Sequence, residues 1–325
     1  MKIGLDVMGG DYAPEATIAG AILAYKELPA KDKIVLIGDK KIILSELNKQ
    51  NFNPDLFDIV HASQMIEMGE QPIKSYTNKP DSSIAVGFKL LKSKEIHTFG
   101  SAGNSGAMLV GSIYTVKTIQ GIIRPCITAI FPNKNNSVSI LLDVGTVPDC
   151  KPDVLYQFAI LGSLYAEYVY SIKNPRVGLL NIGEEEDKGN VACQSTYRLM
   201  KGTADFNFIG NIESRDFFSD KTDVIVCDGF TGNIVLKEAE AFYNLIKEKG
   251  LSNDFFNQFD YENFGGTPIL GIDSTVMIGH GISNAKAIKN MLLLSSNVYN
   301  ANLSKKIKNA LTKFPPYKNI RKKSE

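Results

Sequence analysis

"LDVMGGDYAPEATIAGAIL", residues 5–23, closes an apolar strand-like run on an aspartate, turns through two glycines and a second aspartate, and opens a proline-led helix. A strand that hands over to a helix through a polar, glycine-bearing turn is the unit from which parallel sheets are built. The same grammar recurs downstream. "KIVLIG" (33–38) leads to a helix ending near Gln50, "FDIVHAS" (57–63) precedes a helix over about Asp81 to Lys94, and "EIHTFGS" (95–101) leads to a helix from about Asn104. In the second half "PRVGLLNI" (175–182), "DFNFIGN" (205–211), "DVIVCDG" (223–229) and "STVMIGHG" (274–281) alternate with helical stretches. These lie after Pro152, over Asn190 to Lys201, from about Gly232 to Phe264, and at the C-terminus.

One pair breaks the pattern: "CITAIFP" (126–132) and "SVSILLDV" (137–144), joined by the polar "NKNN", read as an antiparallel hairpin. A strict eightfold repeat is thereby excluded, and the fold expected is α/β, three-layer α/β/α with a mainly parallel open sheet. No linker-like shift in composition and no internal repeat is legible. The organisation predicted is one composite domain over 1–325, with a helical protrusion at 237–264 and a basic tail at 314–325.

The 325 residues, 44% of them hydrophobic, suffice for a large core, and 36 basic against 35 acidic residues leave a net charge of +1 that points to no nucleic acid. The one strong local field is at the C-terminus, where residues 304–325 carry eight lysines and arginines against Glu325 alone. That run reads as a solvated helix and tail, or as a contact for an acidic partner or anionic membrane surface. Cys126, Cys150, Cys193 and Cys227 form no CxxC pair, and "MKIGLDV" lacks a long apolar core, so cytoplasmic residence is expected. His61, His97 and His280 are far apart and no metal-ligand spacing occurs, so no metal and no cofactor are expected.

The polar turns share a position. "LDVMGGD", "GSAGNSGA", "LDVGT", "NIGEEEDKG", "DGFTGN" and "GHGISN" each fall at a strand's carboxyl end, the edge where open α/β sheets bind ligands. Asp6, Gly9, Gly10 and Asp11 form one wall; Asp11 reads equally as a cap for the helix after Pro14. In "GSAGNSGA", Gly100, Gly103 and Gly106 free the backbone while Ser101, Asn104 and Ser105 offer donors at a helix start, which suits an anion or a simple N-cap. The spacing is neither GxxxxGK[ST] nor GxGxxG, and no GxSxG elbow occurs, so a small anion is favoured over a nucleotide or an acyl-serine. Lys188, beside Gly189 in "NIGEEEDKG", is placed to neutralise a phosphate, whereas the glutamates around it read as a solvated loop. Asp228, Thr231 and Asn233 in "DGFTGN" read as caps or as catalytic groups, and His280 stands between two glycines.

Taken in order, "LDVMGGDYAPE", "GSAGNSGA", "RPCI", "LDVGTVPDCKPDVLYQFAILGSLYA", "NIGEEEDKGN", "GNIESRDFF", "DVIVCDGFTGNIVLK", "GGTPILG" and "HGISNAKAIKN" resemble the phosphate acyltransferase family of bacterial phospholipid synthesis, almost end to end. The resemblance implies a fold like that of phosphotransacetylases and isocitrate-dehydrogenase-type proteins. It implies a homodimer that transfers a long fatty acyl group from acyl-acyl-carrier protein to inorganic phosphate. The acyl phosphate would serve a membrane glycerol-phosphate acyltransferase, with the enzyme cytoplasmic and peripheral at the inner face of the membrane. It supports these turns as site-lining without fixing individual roles, and the reading of the residues takes Asp6, Lys188, Asp228, Asn233 and His280 as catalytic candidates. Gly9, Gly10, Asp11, Ser101, Gly103, Asn104, Ser105, Gly106, Asn181, Gly183, Glu184, Thr231, Gly232, Ser283 and Asn284 become substrate-binding candidates.

Two departures stand out: Val147 replaces an amide in "DVGTV", and the segment between "DGFTGNIVLK" and "GGTPILG" is short. In that segment Leu251, Phe255, Phe256 and Phe259 read as an apolar membrane tip or as an internal packing face. Phosphate attack on a thioester requires an anion site and oxyanion stabilisation but no enzyme nucleophile, in keeping with the missing elbow. The expected assignment gives phosphate to Ser101, Gly103, Asn104, Ser105 and Lys188, and the carbonyl oxygen to His280 and Asn233. Asp6, Asp11 and Asp228 orient them. A small acyl-coenzyme A phosphotransacetylase and a non-catalytic carrier-protein-binding regulator are the rival readings.

Overall fold

The computed structural model describes residues 1–135 and 137–312, so the expected basic tail at 314–325 lies outside the described residues. In chain order the elements are β1 (Lys2–Asp6), α1 (Glu15–Glu27), β2 (Lys33–Gly38), α2 (Lys40–Lys49), β3 (Asp58–His61), α3 (Pro72–Asn78), α4 (Ser83–Ser93), β4 (Thr98–Ser101) and α5 (Ser105–Gly111). There follow β5 (Cys126–Pro132), β6 (Val138–Leu142), α6 (Pro152–Val169), β7 (Arg176–Leu180), α7 (Val191–Met200), β8 (Asn207–Ile212), β9 (Val224–Val226) and α8 (Gly229–Glu248). The chain ends with α9 (Tyr261–Phe264), β10 (Thr267–Leu270), β11 (Thr275–Ile278), α10 (Ala285–Asn300) and α11 (Leu303–Thr312). These elements group into two compact units, one comprising Met1–Thr118 and Asp260–Asn300, the other Ile119–Phe259 and the chain from Ala301.

In the first unit the strands run β3-β2-β1-β4-β11-β10, all parallel except β10, which is antiparallel to β11. β1 is buried along its length after Lys2, as expected of a parallel strand covered on both faces. Its Ile3 and Leu5 join Ile18 of α1, Leu36 of β2, and Ile288 and Met291 of α10 in one core. α1 is tied to the strand it follows by Thr17, whose hydroxyl donates to the Val7 carbonyl at 2.7 Å. Leu5 and Met277 both stand opposite Gly100, so the turns after β1, β4 and β11 leave the sheet side by side.

The second unit orders its strands β5-β6-β9-β7-β8. The expected hairpin is present, with Thr128 paired to Leu142 and Pro132 to Val138, and the remaining pairs are parallel. Leu142 and Leu179 both face Val226, which brings the turns after β6, β9 and β7 together. The fold is therefore mainly parallel α/β, as the sequence pattern predicts.

Two segments differ from the sequence expectation. The helical stretch expected from about 232 to 264 is one helix, α8, beginning at Gly229 and ending near Gly250, whose φ of +67° leaves the helical region; a short 3₁₀ turn over Phe256–Phe259 and α9 follow. Phe259 packs edge-on against Phe218 and Phe255, and Phe218 lies against Phe131 of β5, while Leu251 is exposed. The phenylalanines thus form a packing face on the hairpin. α3 was not expected; its signal is Gln71, whose side chain accepts from the Lys74 amide at 2.6 Å, with Pro72 at the first helical position.

Candidate active site

In the first unit the organising group is Asp6, the last residue of β1 and 1% exposed. Its Oδ1 accepts from the Met8 amide at 3.0 Å and its Oδ2 from the Ser101 hydroxyl at 2.7 Å. Ser101 Oγ in turn accepts from the Gly103 amide at 2.9 Å, so one carboxylate holds the first turn and the "GSAGNSGA" turn in a single network. A methyl on Gly9 would sit 2.7 Å from the Gly103 nitrogen, which explains why both turns carry glycine where they touch. Burial pushes the Asp6 carboxyl above the ordinary aspartate range, against the pull of these donors.

The third turn closes on the other two. The Gly279 amide donates to the Ser101 carbonyl at 2.9 Å and the Asp11 amide to the Gly281 carbonyl at 2.7 Å, which sets half-buried His280 beside the first turn, its ring 5.5 Å from that of Tyr261. Ser283 is buried and its hydroxyl makes no hydrogen bond among the described residues. Asn284 is committed to structure, accepting from the Ala287 amide at 3.0 Å and donating to Glu262 at 2.7 Å.

Asn104 is committed as well. Its Oδ1 caps α5 through the Ala107 amide at 2.9 Å, and its Nδ2 donates to the carbonyls of Glu67, Met68 and Glu70 at 3.0–3.1 Å. The carboxamide is engaged within the protein and pins the 67–70 segment to the turn. Ser101 is likewise both donor and acceptor internally. Ser105 is exposed, and its hydroxyl makes no hydrogen bond among the described residues. Gly106 leaves room for Pro72, whose Cβ would stand 3.0 Å from a methyl there.

The second unit repeats this construction with a residue the sequence reading did not single out. Asp143, fully buried just after β6, accepts from the amides of Ile127 (3.0 Å), Thr146 (2.9 Å) and Val147 (2.6 Å). Burial also raises its carboxyl above the ordinary range. The signal available was the tripeptide Leu142-Asp143-Val144, which copies Leu5-Asp6-Val7. Val147 enters through its backbone, its carbonyl accepting from the Gly229 amide at 2.8 Å. Asp228 caps α8 through the Thr231 amide (2.8 Å) and hydroxyl (3.0 Å). Gly232 presses against this turn: a methyl there would lie 2.9 Å from Cys227 Sγ and run into the Asp143 carbonyl. Asn233, one residue on, is exposed and its carboxamide makes no hydrogen bond among the described residues.

Beside this turn stands the loop after β7. Glu184 and Glu186 are not merely solvated: Lys221 bridges Glu184 (2.6 Å) and Asp216 (3.2 Å), and Lys201 pairs with Glu186. Lys188 is exposed, and its ammonium makes no ion pair among the described residues. The Asn181 side chain donates to the Lys188 carbonyl at 3.1 Å. The candidates therefore divide: Asp6, Gly9, Gly10, Asp11, the 101–106 turn, His280, Ser283 and Asn284 belong to the first unit, and Asn181, Gly183, Glu184, Lys188, Asp228, Thr231, Gly232 and Asn233 to the second. The described residues hold no group of three or more His, Cys, Asp or Glu able to bind a metal, and no helix among them is long and apolar enough to cross a membrane.

Residues 1–306 match the family described as fatty acid synthesis protein. The phosphate acyltransferase of Dictyoglomus turgidum is 43% identical over 97% of this chain and 98% of its own length, and that of Syntrophomonas wolfei 40% identical over 93% and 96%. The chain belongs to the phosphate acyltransferase family. Among solved structures, the fold is shared with a phosphotransacetylase from Streptococcus pyogenes (TM-score 0.64, 15% identity, 92% of this chain and 94% of that one). It is shared too with a branched-chain phosphotransacylase from Enterococcus faecalis V583 (TM-score 0.62, 13% identity, 91% and 98%). Phosphate acyltransferases are acyltransferases, and the polar turns described above are this family member's candidate machinery.

Proposed function

We propose that this phosphate acyltransferase moves a fatty acyl group from the thioester of an acyl carrier protein to inorganic phosphate, giving an acyl phosphate for phospholipid synthesis. The observation that carries the reading is the 43% identity to a phosphate acyltransferase across 97% of the chain. A phosphate oxygen attacks the thioester carbonyl, the C–O bond forms, the C–S bond breaks, and the proton of hydrogen phosphate ends on the carrier thiol. No enzyme nucleophile enters, so catalysis rests on positioning and on charge stabilisation.

The geometry supports separate contributions from each unit. In the second, Lys188 offers a cation that makes no ion pair among the described residues, and Asn233 an amide donor for the oxyanion that is likewise uncommitted among them. In the first, the Ser105 hydroxyl offers a neutral donor to anionic oxygen, while Ser101 and Asn104 hold that turn rather than touch substrate. Asp6 and Asp143 are too buried to face a phosphate and act on the turn amides.

We further propose a homodimer working at the inner face of the membrane, beside a glycerol-phosphate acyltransferase that consumes the product. The dimer is supported by α8, where Phe230, Ile234 and Leu245 are exposed at spacings that place them on one helix face. The test is release of carrier-protein thiol from palmitoyl-acyl-carrier protein, with and without phosphate. Phosphate-dependent release with acyl phosphate formed is the expected result. Release without phosphate would make the protein a thioesterase, and activity confined to acetyl-coenzyme A would make it a small-acyl enzyme.

A further inference from the structure

The loop 181–190 is held by side-chain amides from outside its tip. Asn211 Nδ2 donates to the Glu185 carbonyl at 2.8 Å, and Gln194 Nε2 donates to the carbonyls of Asp187 (2.8 Å) and Gly189 (3.1 Å). With Asn181 on the Lys188 carbonyl, the main chain is gripped on both sides of the lysine and at the lysine itself. Loop carbonyls that water alone would satisfy leave a turn free to sample many conformations, whereas three fixed carboxamides select one.

The side chains of the loop tell the same story. Lys221 and Lys201 draw Glu184 and Glu186 outward into ion pairs, so neither is left to pair with Lys188. Gly183 is buried under the lysine stem, and a methyl there would stand 2.8 Å from Lys188 Cγ. Asn211 is 4% exposed, so its grip on the loop is made in a dry environment where a lost hydrogen bond is felt in full.

We infer that Gln194 and Asn211 are positioning residues that fix Lys188 where phosphate binds, through the carbonyls of Glu185, Asp187 and Gly189. This rests on the reading of Lys188 as a phosphate ligand. The reaction is sensitive to such placement because misplacing a binding group by about 1 Å costs up to roughly 100-fold in rate.

The test is a double-mutant cycle read as KM for phosphate in the palmitoyl-acyl-carrier-protein assay. Gln194→Met and Asn211→Leu remove the donors without adding charge, and each should raise KM for phosphate by about tenfold while leaving KM for the acyl carrier protein within about twofold. In a Lys188→Ala background the same substitutions should change KM for phosphate by a factor of about one, because the group they position is gone. Gly183→Ala, which moves the lysine stem without touching either carboxamide, should show the same loss of effect in that background, and keeps the cycle informative if one carboxamide variant does not fold. A tenfold factor that persists without Lys188, or a parallel rise in both KM values, would overturn the inference alone. A Lys188→Ala protein with unchanged KM for phosphate would overturn the phosphate role of Lys188 and the inference with it.

Discussion

Asp6, the last residue of β1, and Asp143, the residue after β6, lie in the same tripeptide, Leu-Asp-Val, and both are buried carboxylates that receive backbone amides, yet they carry different loads. Asp6 takes the Met8 amide and the Ser101 hydroxyl, is drawn on as well by the Gly9 amide and the Ser83 hydroxyl, and reaches the neighbouring turn through Ser101. Asp143 accepts three amides directly, one of them from Ile127 on the adjacent strand. The first unit delegates part of its turn to a side-chain relay; the second locks its turn to one group. The same motif therefore builds a mutable edge in one unit and a brittle one in the other.

The largest expected effect follows from that difference. Asp143→Ala leaves three part-buried amides without their acceptor, at about 1–3 kcal/mol for one left unpaired and less where water can reach it, and should lower unfolding stability by about 3–5 kcal/mol. Asp6→Ala removes an acceptor that is shared between backbone amides and the hydroxyls of Ser101 and Ser83, and because hydroxyls rotate freely where amides cannot, the loss should be smaller, about 2 kcal/mol. Urea midpoints at constant m-value measure both. Equal losses would erase the distinction between the edges.

The asparagines after the paired glycines, Gly103-Asn104 and Gly232-Asn233, sharpen the comparison on the catalytic side. Asn233→Ala should cut kcat by about 100-fold or more, the scale for losing an oxyanion donor, with no shift of the unfolding midpoint. Asn104→Ala should do the reverse in emphasis, removing a helix cap and the anchor of residues 67–70 for about 1–2 kcal/mol of stability. A stable Asn104→Ala protein with kcat lowered as in Asn233→Ala would return that side chain to the substrate.

Smaller again is the contrast between Gly232→Ala and Gly103→Ala. Alanine is preferred over glycine within a helix by about 1 kcal/mol, yet at Gly232 the added methyl runs into the Asp143 carbonyl, and a net loss of about 1–3 kcal/mol is expected. At Gly103 the nearest atoms are Gly9 Cα and Ser101 Oγ, both at 3.1 Å, a lesser overlap, and the loss should be smaller. Thermal midpoints of the two variants decide it.

These contrasts also mark what a sequence reveals and what it hides. Parallel strands are apolar on both faces and end in polar glycine turns, so β1, β4, β7 and β9 and the turns after them are legible from residue order alone. The hairpin of β5 and β6 is legible because "NKNN" interrupts two short β-branched runs. The work of Asp143 is not, because one of its donors lies 16 residues upstream and comes from the backbone, which has no sequence signature. Gly103-Asn104 and Gly232-Asn233 share the same two-residue spelling, and only the packing of residues 67–70 against the first separates a committed amide from an uncommitted one. Gln194 reads as an ordinary polar position in α7 until the loop beneath it is placed.

Acidity gives the smallest effect and the most diagnostic sign. Burial holds the carboxyls of Asp6 and Asp143 above the ordinary aspartate value of 3.8, so each contributes stability that is complete below that value and is lost as pH rises through the raised one. Asp39, capping α2 through the Ile42 and Lys41 amides, is shifted down, and its contribution is lost as pH falls through its lowered value. On acidification from neutral pH toward about pH 4, wild type should therefore gain on Asp6→Asn, because the buried carboxyl sheds its charge and the amide variant has none to shed. Against Asp39→Asn the difference should hold steady over that range and then move against wild type at lower pH. Thermal midpoints of the three proteins across the pH series measure this directly. A gap between wild type and Asp6→Asn that narrows in favour of the variant on acidification would mean that the amide and hydroxyl donors, rather than burial, govern the Asp6 edge, and that the two units differ in charge as well as in connectivity.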